Sequence, residues 1–170
     1  MPTPDTVPTP DTVPTTGETS AVVGQSAPRL RRVGESDLTV FPLAISGNVF
    51  GWTADDATTN AILDSYAAQG GNFIDTADSY AAGRSETMIG NWMRSRRNRS
   101  DVVIATKVGK SADNPGLRAR VLTRAVHASL QRLGTDRIDL LYLHIDDETV
   151  EFEETLLAVD ELIRAGAVRY

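Results

Sequence analysis

The feature that most constrains this chain is a strand followed by a helix, repeated. Short apolar runs rich in β-branched residues alternate with longer runs whose apolar residues recur three and four apart. The strands are read at Phe41–Ser46, Asn72–Thr76, Val102–Lys107 and Ile138–His144. The helices are read at Asp55–Gln69, from Ser85 onward, at Gly116–Leu133 and at Phe152–Ala165; Gly70-Gly71, Gly134 and Gly166 stop three of them. Strand starts recur about every 30–36 residues, the length of a strand–helix–strand crossover. Runs such as VVIATK and IDLLYLH are apolar nearly throughout, as parallel strands covered by helices are. No G-x-G-x-x-G turn follows any strand, which disfavours a dinucleotide-binding open sheet. The reading is therefore α/β, a TIM (β/α)8-barrel type of which four β/α units are present. Ala167–Tyr170 opens a fifth strand.

Each helix carries an apolar stripe to lay on the sheet. These are Ile62, Leu63, Tyr66 and Ala67 in the first, and Met88, Ile89, Trp92 and Met93 in the second. Leu122, Ala125, Val126, Leu130 and Leu133 serve the third; Leu156, Leu157, Val159, Leu162 and Ile163 are expected to face inward in the fourth. Arg29–Val33 and Leu38–Val40 flank a Gly-containing turn and predict a β-hairpin before the first unit. Residues 1–27, with PTPDTV written twice, predict a disordered Pro/Thr-rich tail. The folded body is then 28–170.

The net charge of −6 argues against a nucleic-acid binder. No apolar run is long enough to span a membrane. The absence of cysteine excludes disulfides and thiol chemistry, and a cytoplasmic location is expected.

Four residues at or just past strand ends carry chemistry. Asp75 ends an apolar run, where a carboxylate is costly unless paired. Lys107 ends the next strand. Neighbouring strands lie about 5 Å apart, so these two can form a buried ion pair. Tyr80 follows Asp75 by five residues, on the loop over that pair. An ammonium beside a phenol favours the phenolate and eases the proton's departure. His144, at the end of the fourth strand, can donate a hydrogen bond to the same substrate oxygen. Such a group suits a carbonyl oxygen becoming an alkoxide, as in hydride transfer to an aldehyde or ketone. No side chain supplies hydride, so a cofactor must. A His144–Asp146–Asp147 metal site is disfavoured because no second histidine stands at ligand spacing, and no metal is expected. The run Arg94, Arg96, Arg97, Arg99 reads as the solvated end of the second helix, with phosphate binding as the sharper alternative.

These segments resemble the aldo-keto reductase family. The matching stretches are Phe73-Ile74-Asp75-Thr76-Ala77-x-x-Tyr80, Ser85-Glu86, Ala105-Thr106-Lys107-Val108, Leu133-Gly134-Thr135-Asp136-x-Ile138-Asp139-Leu140-x-Tyr142-x-His144, and Gly166-x-Val168-Arg169-Tyr170. The resemblance implies a TIM barrel plugged by an N-terminal hairpin, and NADPH-dependent, less often NADH-dependent, reduction of small carbonyl substrates. It implies that Tyr80 donates the proton, that Asp75 and Lys107 tune it, and that His144 orients the carbonyl. It places Gly47 and Asn48 near the cofactor and Trp52 near the substrate. Asp78, close to Tyr80 in the chain, is expected to touch substrate, its alternative reading being a solvated loop carboxylate. The family continues past the Val-Arg-Tyr segment with most of its cofactor-gripping half. This chain is accordingly expected to be a truncated first half of the barrel, its alternative reading being an inactive half-barrel or assembly module. Self-association through the open barrel edges is expected.

Overall fold

The computed structural model describes residues 29–170, and the expected tail lies outside them. The hairpin comes first. β1 (Arg31–Arg32) and β2 (Thr39–Val40) pair antiparallel, with Arg31 opposite Val40. Four parallel strands follow in the order β3 (Ile45–Ser46), β4 (Phe73–Asp75), β5 (Val103–Val108) and β6 (Leu140–Leu143). The helices between and after them are α1 (Asp56–Ala68), α2 (Arg84–Arg96), α3 (Ala119–Leu133) and α4 (Phe152–Arg164). Sequential order with parallel pairing throughout makes this a partial (β/α) barrel of four units. Ala167–Tyr170 runs along the outer edge of β6: Ile138 N–H donates to Ala167 O and Leu141 N–H to Tyr170 O. That is the start of fifth-strand pairing.

The two faces of the sheet have different partners, because alternate residues of a strand point opposite ways. Ile74, Ile104 and Val108 join Leu63, Ile89, Trp92, Leu122, Val126 and Leu133 in the main core beneath the helices. Phe73, Val103 and Leu140 instead pack on Leu38 and Val40 of the hairpin. The hairpin is held by Asn72, whose Oδ1 accepts from Phe41 N–H at 2.7 Å and whose Nδ2 donates to Thr39 O at 3.0 Å. Asp37 adds an ion pair with Arg169 at 2.7 Å.

Three sequence expectations are corrected. The first parallel strand is two residues long rather than six, since Pro42 has no N–H for a ladder and the Phe41 N–H turns to Asn72. α3 begins at Ala119, not Gly116. Gly116 is left-handed (φ 86°), and the next N–H, that of Leu117, is taken by Asp147 Oδ2 at 2.9 Å. In α4 the inward stripe is Thr155, Ala158 and Leu162. Leu156, Leu157 and Ile163 are 45, 64 and 40% exposed. α4 packs on α3 along one stripe, and no element among the described residues covers its far side.

α2 and α3 approach closely at Gly90. A Cβ there would lie 2.6 Å from the carbonyl oxygens of Arg132 and Leu133, backbone atoms with no freedom to move aside. Gly90→Ala is expected to lower stability by about 2–3 kcal/mol, as overpacking against rigid backbone does. Urea unfolding of the two proteins checks this, and a midpoint shift within error would show that the helices separate freely.

Candidate active site

The candidate residues stand at the C-terminal ends of β4, β5 and β6, on one rim. Asp75 is in register with Ala105, so Lys107 lies two residues further along the neighbouring strand. Its side chain reaches back. Lys107 Nζ donates to Asp75 Oδ2 at 2.7 Å, to Thr76 O at 2.8 Å and to Tyr80 Oη at 3.2 Å. An ammonium has three N–H bonds, and each has an acceptor here. The pair is partly buried, with side-chain exposures of 16 and 24%.

Tyr80 Oη accepts from Lys107 and has no acceptor of its own among the described residues. Its O–H is free to donate. The ring stands edge-on to His144, with centroids 6.0 Å apart at 82°. His144 is held by its backbone N–H, which donates to Val108 O at 2.9 Å. Its buried Nδ1 has no hydrogen-bond partner. Burial lowers the imidazole's pKa below the usual 6.5, and the positive charges of Lys110 and Lys107 lower it further. The ring is therefore neutral at pH 7, with one N–H to give.

The backbone after Tyr80 is unusual. Ala81 (φ 50°), Ala82 (φ 56°) and Gly83 (φ 83°) are all left-handed. A side chain in that region costs roughly 1–2 kcal/mol, so two alanines there mark stored strain beside a reactive group. Nothing in the residue types announces this turn. The Thr76 carbonyl, as the third acceptor for Lys107, was equally invisible in sequence.

Gly47 ends β3 on the same rim, its N–H donating to Asp75 O at 2.7 Å. A hydroxyl relay fixes it: Ser85 Oγ donates to Gly47 O at 2.8 Å and lies 2.9 Å from Thr76 Oγ1. Asn48 is exposed, and Trp52 is 74% exposed on the following turn. Asp78, expected near the substrate, is only 1% exposed, and neither of its carboxylate oxygens makes a hydrogen bond of good geometry.

Among the described residues no cluster of metal-ligating side chains occurs, and no helix is long and apolar enough to cross a membrane.

A parallel α/β barrel segment with an Asp–Lys–Tyr–His acid–base group on its C-terminal rim has the architecture of a TIM-barrel enzyme. The comparisons give the family. Residues 44–170 match the aldo/keto reductase family model, and the chain belongs to that family. It is 38% identical over 166 residues to norsolorinic acid reductase B of Aspergillus parasiticus, covering 85% of this chain and 44% of that protein. It is 40% identical over 151 residues to aldo-keto reductase ausK of Aspergillus calidoustus, covering 78 and 38%. The fold superposes on aldo-keto reductase AKR11C1 from Bacillus halodurans in its holo form with a TM-score of 0.75. Sequence identity there is 33%, and the match covers 84% of this chain and 48% of the other. The chain spans less than half the length of these relatives.

Asp78 yields a pH prediction. Burial, with Glu86 adding repulsion, raises its pKa from 3.8 to about 6. Between those values the folded chain keeps a proton that the unfolded chain has released, so stability falls as pH rises through the window. The deficit is complete above pH 6. Asp78→Asn is expected to stabilise the protein by roughly 1–3 kcal/mol at pH 7.5, with the gain shrinking by pH 5. Urea midpoints at the two pH values measure it; a gain that does not change with pH would mean that Asp78 titrates normally.

Proposed function

We propose that this rim is the proton-delivering side of a carbonyl-reducing site, in a barrel of which this chain forms the first half. The observation that carries the reading is the Tyr80 phenol: Lys107 donates to its oxygen, while its own proton has no acceptor. The donor set fits a nicotinamide cofactor's reaction, because it can bind and protonate a carbonyl oxygen but holds nothing that gives hydride. NADPH, or less often NADH, supplies that hydride when bound, and Gly47 and Asn48 are the residues here that would lie against it.

This chain's own residues divide the remaining work. His144, neutral, orients the carbonyl by donating a hydrogen bond to its oxygen. Tyr80 donates to the same oxygen and passes its proton there as negative charge develops. Lys107 stabilises the phenolate left behind, and Asp75 and Thr76 O hold the ammonium in place. Trp52, exposed on the turn after β3, would border the mouth. The substrate class is a small aldehyde or ketone, with an alcohol as product.

The decisive assay follows NADPH absorbance with 4-nitrobenzaldehyde, using this chain completed by the C-terminal half of a relative's barrel. Turnover is expected, and Tyr80→Phe is expected to lower it by roughly 10²–10⁴-fold, the usual worth of a positioned general acid. Unchanged turnover in Tyr80→Phe would remove Tyr80 from the chemistry.

A second reading, an assembly module, rests on the exposed Phe152, Leu156, Leu157 and Ile163 of α4. Exposed apolar side chains carried on one helix invite a partner. The 170-residue chain is expected to sediment as a dimer or larger species at micromolar concentration, and Leu156→Glu with Leu157→Glu to shift it toward monomer. A compact monomer for the unaltered chain would contradict this reading while leaving the catalytic one intact.

A further inference from the structure

We propose that the adjoining ends of α2 and α3 form a binding site for a phosphate-type oxyanion, free or carried as a phosphomonoester, held by Arg94, Arg97 and Arg137. These residues line a cavity of about 420 Å³ together with Arg99, Ser100 and Gly134, and no carboxylate lines it. Arg99 and Ser100 precede β5 and Arg137 precedes β6, so the cavity opens at the opposite ends of the strands from Asp75 and Lys107. In a chain of net charge −6, four guanidinium groups around one cavity are a marked local reversal of sign.

The plain alternative is that these arginines complement the helix C-terminal dipoles. Among the described residues, none of Arg94, Arg97 and Arg137 is tied to a last carbonyl of α2 or α3. Arg94 Nη2 donates to the side chain of Asn91 at 2.6 Å. Arg97 is exposed to solvent, and its guanidinium makes no hydrogen bond or ion pair among the described residues. Arg137 comes no nearer than 3.5 Å to Asp136 and 3.6 Å to Asp139. Asp139 is itself engaged by Arg99 at 2.8 Å. Arg96, from the same run, shows what a satisfied arginine looks like here: it grips Asp64 at 2.6 Å on another face.

Backbone geometry points the same way. α2 ends at Arg97 with φ 54° and ψ 38°, a left-handed position where helix ends favour glycine. α3 ends with Gly134 in that same conformation (φ 63°). Arg97 thus keeps a long cationic side chain at the cavity where a glycine would cost less. Arg99 builds the floor. It donates to Thr135 Oγ1, Val102 O, Arg137 O and Asp139, which leaves its neighbours rather than itself to receive a ligand. Two helix ends oppose an anion with about half a charge each, against the guanidinium charges of Arg94 and Arg97, which meet no carboxylate, and that of Arg137, which is shared with Asp136 and Asp139. Arginine forks match phosphate oxygens in geometry. The cavity exceeds one oxyanion in size, and Met93 leaves an apolar side for the organic part of an ester.

Calorimetric titration of the full chain with inorganic phosphate, and separately with glycerol phosphate, tests this at constant ionic strength held by sodium chloride. Saturable one-site binding is expected. Arg97→Gly, which relieves the left-handed strain and so keeps the fold, should weaken it about tenfold, as should Arg137→Gln. Arg96→Gln should leave it unchanged. Equal affinity for the two ligands identifies the free anion as sufficient, and tighter glycerol phosphate identifies the ester. No saturable binding of either ligand, or an equal loss in Arg96→Gln and Arg97→Gly, overturns the proposal.

Discussion

Glu86 is the constraint on which the arrangement of sheet and helices rests. Its side chain has no exposure to solvent. One carboxylate oxygen accepts from Thr106 Oγ1 of β5 at 2.6 Å, and the other from Arg132 Nε of α3 at 2.7 Å. A buried carboxylate is tolerable only with such charge-assisted partners: removing Arg132 would leave an uncompensated charge, and removing Thr106 an unpaired oxygen. The consequence is a fixed position of α2 over β5 and against α3, just below the rim. Gly90, one turn further along α2, allows the two helices to close on each other.

The same anchor explains the state of Asp78. Two carboxylates share the neighbourhood of one guanidinium, and Glu86 has the short contact with it. Asp78 is left without a hydrogen bond of good geometry, and burial first, then repulsion from Glu86, pushes it toward its protonated form. It lies two residues before Tyr80, and its N–H donates to Lys107 O at 3.0 Å. The packing layer below the rim and the acid–base group above it are therefore joined through one short loop. The left-handed turn at Ala81–Gly83 completes that loop.

The two ends of the parallel strands have opposite characters. At the C-terminal ends, one ammonium with three acceptors organises a phenol whose proton is free. At the N-terminal ends, Asp139 collects Arg99, Arg169 and the Ile104 N–H, and so ties the hairpin side to the sheet. Beyond that knot the arginines outnumber the carboxylates. Parallel strands make this separation natural, because every strand enters from one end and leaves by the other.

The sequence by itself determined the repeat, the parallel order and the rim. Apolar strand runs and helical stripes are local signals, and right-handed crossovers leave little choice of topology. Asp75, Lys107 and His144 were legible because each interrupts or ends such a run, where a polar group must have a purpose. The main stripes of α1, α2 and α3 were legible for the same reason. Tertiary structure decided what depends on neighbours distant in the chain. Leu156, Leu157 and Ile163 match a buried stripe in spacing, but burial needs a second surface, and only α3 lies beside α4. Asp78 looks like a loop carboxylate, yet its loop folds over it. Arg94, Arg96, Arg97 and Arg99 form one basic run in sequence and split three ways in space: Arg96 to Asp64, Arg99 to Asp139, and Arg94 and Arg97 to a shared cavity with Arg137. Periodicity says which way a side chain faces along its own element, while only packing says what it meets there.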